Sequence, residues 1–315
     1  MAKPVPPVGG LSVGTPQSGM GFMLLAVLLV PFSDALSKSL TGVLSPFEIA
    51  FWRYVFQMAA LGLVLIALRR RPVWGPWHLM VLGGLTSAAT LAALIGAFVT
   101  MPIATAIAIF FVEPLILTVL AGPFLGERAG ARRYVAVGVG LIGALIVIRP
   151  SWDIFGWSSL LPLIAATAFA GNAIVIRKLS PVMDAVSIQF WFAVVALIAI
   201  GGGLLALGRF ELIGGMGGYD PDGPWGQLLF MGMLSAFTFF LFSEAFRRTP
   251  ASTLAPFQYL EIVGATAVGY VFFGDFPDKW TWVGTAVILA SGLYVFQRER
   301  KRGEIIGPAT YGEAK

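Results

Sequence analysis

Apolar runs of roughly 20 residues recur along this chain, at 19–38, 47–68, 77–98, 102–123, 133–149, 157–176, 186–207, 227–246, 251–273 and 280–297. A run of that length crosses a bilayer core as a helix. Lipid offers no partners to backbone N–H and C=O groups, so a spanning segment must satisfy them internally. The runs lack period-two alternation, which disfavours a closed barrel and leaves helices. Composition agrees, with 57% hydrophobic and 12% charged residues, about half the charge fraction of a soluble domain. The expected fold is an all-α polytopic membrane protein with ten transmembrane helices.

Basic residues orient such a bundle. With the N-terminus placed in the cytoplasm, 16 of the 21 Lys and Arg fall on inside segments, among them Arg69–Arg71, Arg132, Arg133, Arg177, Lys178, Arg247, Arg248 and Arg298–Arg302. Outside segments hold Lys38, Arg149, Arg209 and Lys279, and Arg53 sits within a helix. This positive-inside bias predicts that both termini are cytoplasmic. It also accounts for the net charge of +5, so no nucleic-acid partner is implied. Residues 1–18 are rich in Pro, Gly and Ser and read as a disordered tail, with Lys3 too little charge for a signal peptide. Residues 299–315 read as a basic cytoplasmic tail. The chain has no cysteine, which removes disulfides and thiolate metal sites.

A repeat lies beneath the helices. Shifted by 148 residues, 83–149 meets 231–297 without a gap. Gly84, Ser87, Thr90, Pro102, Thr105, Glu113, Thr118 and Gly126 meet Gly232, Ser235, Thr238, Pro250, Thr253, Glu261, Thr266 and Gly274. Before this block the shift is 139, and Lys38, Phe51 and Trp52 meet Arg177, Phe190 and Trp191. The difference falls in the acid-leaning loop 209–224. Two five-helix repeats are expected, at 19–150 and 151–298. Five is odd, so the second enters the membrane from the opposite side. Inverted repeats of this kind serve alternating access around a midplane site.

Charges inside the runs are the candidate site. Glu113 lies about 16 Å along a helix from Pro102, near the midplane, and Glu261 is its counterpart. An intramembrane carboxylate costs at least ~2.5 kcal/mol unless it meets water or a partner. Two readings stand: both glutamates face a central cavity, or both make buried packing contacts. Pro114 follows Glu113 and frees the carbonyl of Phe110, which predicts a kink. Pro31, Pro162 and Pro256 act likewise. Asp34 and Lys38 stand at i, i+4 with the acid first, the favourable order, either as a structural pair or as substrate ligands. Arg53 is expected to have Asp34 or Glu113 as partner, and its guanidinium can grip a carboxylate or an imide edge through two N–H groups. Trp52, Tyr54, Phe110, Phe257 and Tyr259 flank these charges and could stack on a flat substrate; packing is the competing reading. Ser33, Asn172, Gln189 and Gln258 add neutral hydrogen-bonding capacity. Three acids against two bases leave one carboxylate over, a candidate proton carrier. Trp74, Trp77, Trp152, Trp157, Trp225, Trp280 and Trp282 read as interface anchors, and Ala136, Gly140 and Ala144 as a small-residue packing face.

The paired stretches "EPLILTVLAGPFLGE" and "EIVGATAVGYVFFGD", together with the helix count, resemble the EamA-type drug/metabolite transporter superfamily over about 19–300. The aromatic-rich sequence is also similar to riboflavin-uptake members. The resemblance implies a secondary carrier of small organic metabolites in the bacterial inner membrane. Its second copy departs from the pattern with Ile262 in place of a proline and Asp275 for Glu127, two acids read as caps or loop partners.

No HExxH, P-loop, metal cluster or nucleophile–base pair is present, and the single histidine, His78, sits at a helix start. No catalytic residues, metal or cofactor are expected. The expected activity is secondary transport of a planar heteroaromatic metabolite such as riboflavin. The alternatives are an exporter of aromatic amino acids or drugs and, in another class, a membrane-embedded lipid-modifying enzyme. Oligomeric state is not encoded in any of these features.

Overall fold

The computed structural model describes residues 16–125, 131–179, 181–206, 223–248, 257–258 and 260–305. Its regular elements among these residues are helices. They are α1 (Pro16–Leu40), α2 (Pro46–Ala67), α3 (Trp77–Phe98), α4 (Ile103–Phe110), α5 (Glu113–Leu125), α6 (Ala131–Phe155), a 3-10 turn (Gly156–Leu160), α7 (Leu161–Leu179), α8 (Ala185–Ala206), α9 (Trp225–Arg248), α10 (Leu260–Phe273) and α11 (Lys279–Ile305). Six stretches are long and apolar enough to cross a membrane: Gly19–Leu40, Pro46–Ala67, Trp77–Phe98, Gly156–Leu179, Ala185–Ala206 and Trp225–Phe242. Shorter apolar helices run over Ile103–Leu117, Tyr134–Ile148 and Leu260–Phe273. Leu63, Ile66, Ile142, Ile198 and Val271 point outward from the bundle. Lipid accepts such a surface, whereas water-soluble monomers rarely expose large apolar patches. The chain is a polytopic membrane protein.

Local chemistry sets the helix ends. Pro46 opens α2 behind a capping box, in which Ser45 N–H donates to Glu48 Oε2 at 2.8 Å and Glu48 N–H donates to Ser45 Oγ at 3.4 Å. α10 stops at Gly274, whose φ of +70° suits a residue without Cβ. The N–H groups of Gly274 and Asp275 return to the carbonyls of Tyr270 and Gly269 at 3.0 and 3.1 Å. That closure fixes Asp275 at the helix end.

Several expected boundaries need correction. The run 102–123 is two helices, broken at Phe111–Val112. Proline at 114 has no N–H for the carbonyl of Phe110, and Val112 N–H bonds back only three residues, to Ile109 at 3.2 Å. The sequence suggested a kink; the backbone makes a break. α1 begins at Pro16, inside the stretch read as a disordered tail, and the rest of that tail lies outside the described residues. α11 continues to Ile305, so the first part of the basic tail is helical. Glu127, Pro250, Thr253, Pro256, Tyr259 and most of loop 209–224 also lie outside the described residues.

Packing follows a pattern of exchange. α1 packs on α9 as α3 packs on α7, α2 on α9 as α3 on α8, and α1 on α10 as α5 on α7. α2 meets α8, and α6 meets α11. Individual contacts repeat the pattern. A Cβ on Gly84 would stand 2.4 Å from Val195 Cβ, and one on Gly232 would stand 2.3 Å from Phe56 Cβ. At α6–α11, Gly143 approaches the Gly284 carbonyl, and Ser291 Oγ donates to the Ala136 carbonyl. Small residues at these positions let backbones meet closely, as the sequence indicated for Ala136, Gly140 and Ala144.

Candidate functional site

The capping box at Ser45 starts α2, and Arg53 follows two turns into the helix. On α1, Asp34 is 4% exposed. α5 and α10 each carry a glutamate in the first turn, Glu113 and Glu261. The fold brings these groups close enough to act on one another electrostatically: Arg53 on Asp34, Asp34 and Glu113 on Glu261, and Arg177 on Glu113. Asp34 is buried, Arg53, Glu113 and Glu261 are half-buried, and Arg177, in the last turn of α7, is exposed. Of the two partners expected for Arg53, Asp34 is the one that acts on it.

Hydrogen bonding around these charges is incomplete. Asp34 Oδ2, Arg53 Nε and Gln57 Oε1 are buried without a partner among the described residues. Leaving such atoms unpaired costs about 1–3 kcal/mol each, more when charged. Two donors or acceptors of α2 one turn apart, with a carboxylate of α1, therefore have capacity for a polar ligand or water. Beside them Tyr54 is buried, near Ser87. Asn172 Nδ2 donates to Ser87 Oγ at 2.8 Å and to the Gly83 carbonyl at 2.9 Å. Ser235, the counterpart of Ser87, stands 3.3 Å from Ser33.

The Asp34–Lys38 pair does not form. Lys38 Nζ instead makes a salt bridge to Asp275, donates to the Met101 carbonyl at 3.3 Å, and lies 4.8 Å from the centre of the Phe273 ring. Tertiary packing brings α10 within reach and outcompetes the weak intrahelical pairing, worth about 0.2–0.5 kcal/mol. Asp275 is indeed a loop partner, and it joins helix ends far apart in the chain.

The aromatic candidates separate. Trp52 packs on Phe56 and, edge-on at 4.9 Å, on Trp225, so Trp225 is a packing partner as well as a helix-end residue. Phe110 packs on Phe111 and Phe169. Phe257 joins Met23, Val27 and Ala245. All three sit in apolar clusters, and Tyr54 shares the cluster of Trp52 while its ring also lies beside Arg53 and Ser87. No open chamber joins the acids in the two described cavities. One is a crevice one turn beyond Glu261, lined by Ala104, Ile262, Thr266, Thr281 and Thr285. The other is a groove of about 470 Å³ between α6 and α11, near Val139 and Tyr294. Gln57 and Ser87 were not singled out from sequence. The repeat held a signal for Ser87, through its match to Ser235; Gln57 had none, because its significance comes from burial.

The EamA-like transporter family model matches residues 17–149 and again 156–297. A riboflavin transporter of Rhizobium johnstonii is 29% identical over 294 residues, covering 90% of this chain and 92% of its own length. An S-adenosylmethionine uptake transporter of Rickettsia felis is 29% identical over 295 residues, covering 90% and 94%. A solved crystal structure shares the fold with a TM-score of 0.60 and 17% identity, covering 91% of this chain and 99% of its own. These relatives are transporters, not enzymes, and with two family matches that together span nearly the whole sequence, the chain belongs to the EamA-like transporter family.

Proposed function

We propose that this transporter carries a small metabolite with a planar heteroaromatic ring across the bacterial inner membrane, with both termini cytoplasmic. It works as two inverted five-helix repeats, 19–150 and 151–298, rocking about a shared centre. The observation that carries this reading is a group of charged residues, Asp34, Arg53, Glu113 and Glu261, that act on one another electrostatically. Groups from both halves contribute to it, and Asp34, Arg53 and Gln57 keep hydrogen-bonding capacity that the protein leaves unused. Paired packing supports the symmetry: Gly84 meets Val195 as Gly232 meets Phe56, and residues 56 and 195 are related by the same shift of 139 that relates Lys38 to Arg177.

A guanidinium beside carboxylates suits a ligand edge that both donates and accepts hydrogen bonds. Riboflavin and S-adenosylmethionine, named for the two relatives, both contain a flat nitrogen heterocycle with such an edge. Riboflavin remains the first substrate to test. The surplus carboxylate is the candidate proton carrier. Purified protein in liposomes, tested against a metabolite panel with and without a pH gradient, decides the matter. Accumulation of a flat heterocycle is expected. Preference for an aliphatic polyol would reject the substrate class, and leak without accumulation would reject the carrier.

A further inference from the structure

Three buried polar atoms that lack a partner among the described residues differ in kind. Asp34 Oδ2 and Gln57 Oε1 accept hydrogen bonds, and Arg53 Nε donates one. The fold gathers them around one turn of α9. Arg53 and Gln57 are four residues apart on α2, so they share a face of that helix. α9 covers this part of α2, because a Cβ on Gly232 would stand 2.3 Å from Phe56 Cβ and 3.4 Å from the Arg53 carbonyl. α1 reaches the same turn of α9. Ser33 Oγ stands 3.3 Å from Ser235 Oγ, and Ser37 Oγ donates to Met231 Sδ at 3.3 Å. Asp34 follows Ser33 and is close enough to Arg53 for each to act on the other. Asp34 is 4% exposed and Gln57 is 2% exposed, so bulk water does not answer them.

Two acceptors and one donor call for a ligand edge with two donors and one acceptor. An exocyclic amino group beside a ring nitrogen supplies that set. Its two N–H bonds meet the two oxygens, and the ring nitrogen accepts from Arg53 Nε. An imide supplies the reverse set, one N–H between two carbonyls, and turns a ligand oxygen towards a protein oxygen. Asp34 and Arg53 alone accept either edge, since an imide N–H can donate to the carboxylate while one carbonyl accepts from the guanidinium. The third atom, Gln57 Oε1, separates the two. We infer that this turn of α9 backs a subsite for an amino-substituted nitrogen heterocycle, and that Gln57 is the residue that tells an amino edge from an imide edge. A polar group built to be paired rejects a ligand that cannot pair it far more strongly than an apolar wall rejects a misfit.

The inference rests on the flat-ring reading of the substrate and ranks ring edges within it. Riboflavin, whose ring ends in an imide, falls below an amino heterocycle in that ranking. Adenosine and inosine make the cleanest test, because adenosine has an amino group and a ring-nitrogen acceptor where inosine has a carbonyl and a ring N–H. Binding of each, and of riboflavin, to the purified full-length protein in lipid nanodiscs is measured by titration calorimetry. Adenosine should bind about tenfold more tightly than inosine, the scale of one buried polar atom left unpaired. Gln57→Met keeps the length of the side chain and removes the acceptor, so the preference should shrink to within about twofold. Its melting temperature should hold or rise, because the lost oxygen has no partner. Gln57→Glu keeps an acceptor at this position and should keep the preference. Equal binding of the two nucleosides by the parent, or tighter binding of inosine, overturns the amino-edge inference and leaves the flat-ring reading standing. A preference that survives in Gln57→Met, whether or not both probes weaken, overturns the assignment to Gln57. Binding of none of the three compounds overturns the flat-ring reading and this inference with it.

Discussion

Glu113 and Glu261 occupy matching positions in the stretches 108–119 and 256–267, and their surroundings differ. Glu113 opens α5 directly after a backbone break, with Pro114 behind it and Arg177 as its electrostatic partner. Glu261 lies in the first turn of α10, is followed by buried Ile262, and has two acids, Asp34 and Glu113, as electrostatic neighbours. One glutamate faces a cation and the other faces carboxylates. A repeated residue therefore does not carry a repeated role: the repeat fixes position, and the neighbours fix chemistry. Like charges brought together in a low dielectric repel strongly, and we propose that the second stretch is the one that takes up a positive charge during transport.

The largest effect should come at the cation that faces Asp34. Arg53→Lys keeps the charge and loses the planar fork, and transport of the panel-selected metabolite should fall about tenfold or more, which corresponds to ~1.4 kcal/mol. Normal transport by this variant would mean that the second stretch works without a guanidinium nearby, and the contrast with the Arg177 side would collapse. Comparing the two glutamates directly sharpens it. Glu261→Gln should flatten the pH profile of uptake across pH 5–8, while Glu113→Gln should lower the rate several-fold with its profile kept. Identical profiles in both variants and the parent would remove proton coupling from these residues.

A smaller effect tests the backbone difference. Pro114→Ala supplies the N–H that the Phe110 carbonyl lacks and lets α4 and α5 fuse. An interior proline costs a helix about 3 kcal/mol, so melting temperature should rise while uptake drops roughly threefold; a lower melting temperature would show that the break is required by packing instead. The smallest change is expected one turn beyond Glu261. Thr266 Oγ is buried without a partner, so Thr266→Val removes an unpaired polar atom of similar size. Stability should be unchanged or rise by about 1 kcal/mol, with uptake within about twofold of the parent. A severe loss of uptake would place the adjoining threonine crevice within the binding site.

Much of the interior was legible because membranes make charge conspicuous. Asp34, Arg53, Glu113 and Glu261 stood out against apolar runs, and in the structure each acts electrostatically on at least one of the others. Pro114 marked a disturbance at the right place but not its extent, since the same missing N–H can yield a bend or a break depending on what packs around it. The aromatic candidates fared differently. Trp52, Phe110 and Phe257 neighbour the charges in sequence, yet helix rotation carries each into an apolar cluster.

The sequence by itself determined the solvent, the helical class, the family resemblance and the placement of acids at matching positions in the two family-matched stretches. Those properties follow from run length, hydropathy and spacing, which are local or strictly periodic. Tertiary structure alone decided the pairings. Lys38 passed over an acid four residues away for one 237 residues distant, Glu113 drew Arg177 while Glu261 drew carboxylates, and Gln57 became notable only by being buried. The physical reason is that an ion pair or an unpartnered atom depends on which helix faces meet, and helix-to-helix rotation is set by the fit of small residues such as Gly84, Gly232 and Gly264 against their neighbours, a fit that exists only once the bundle is assembled.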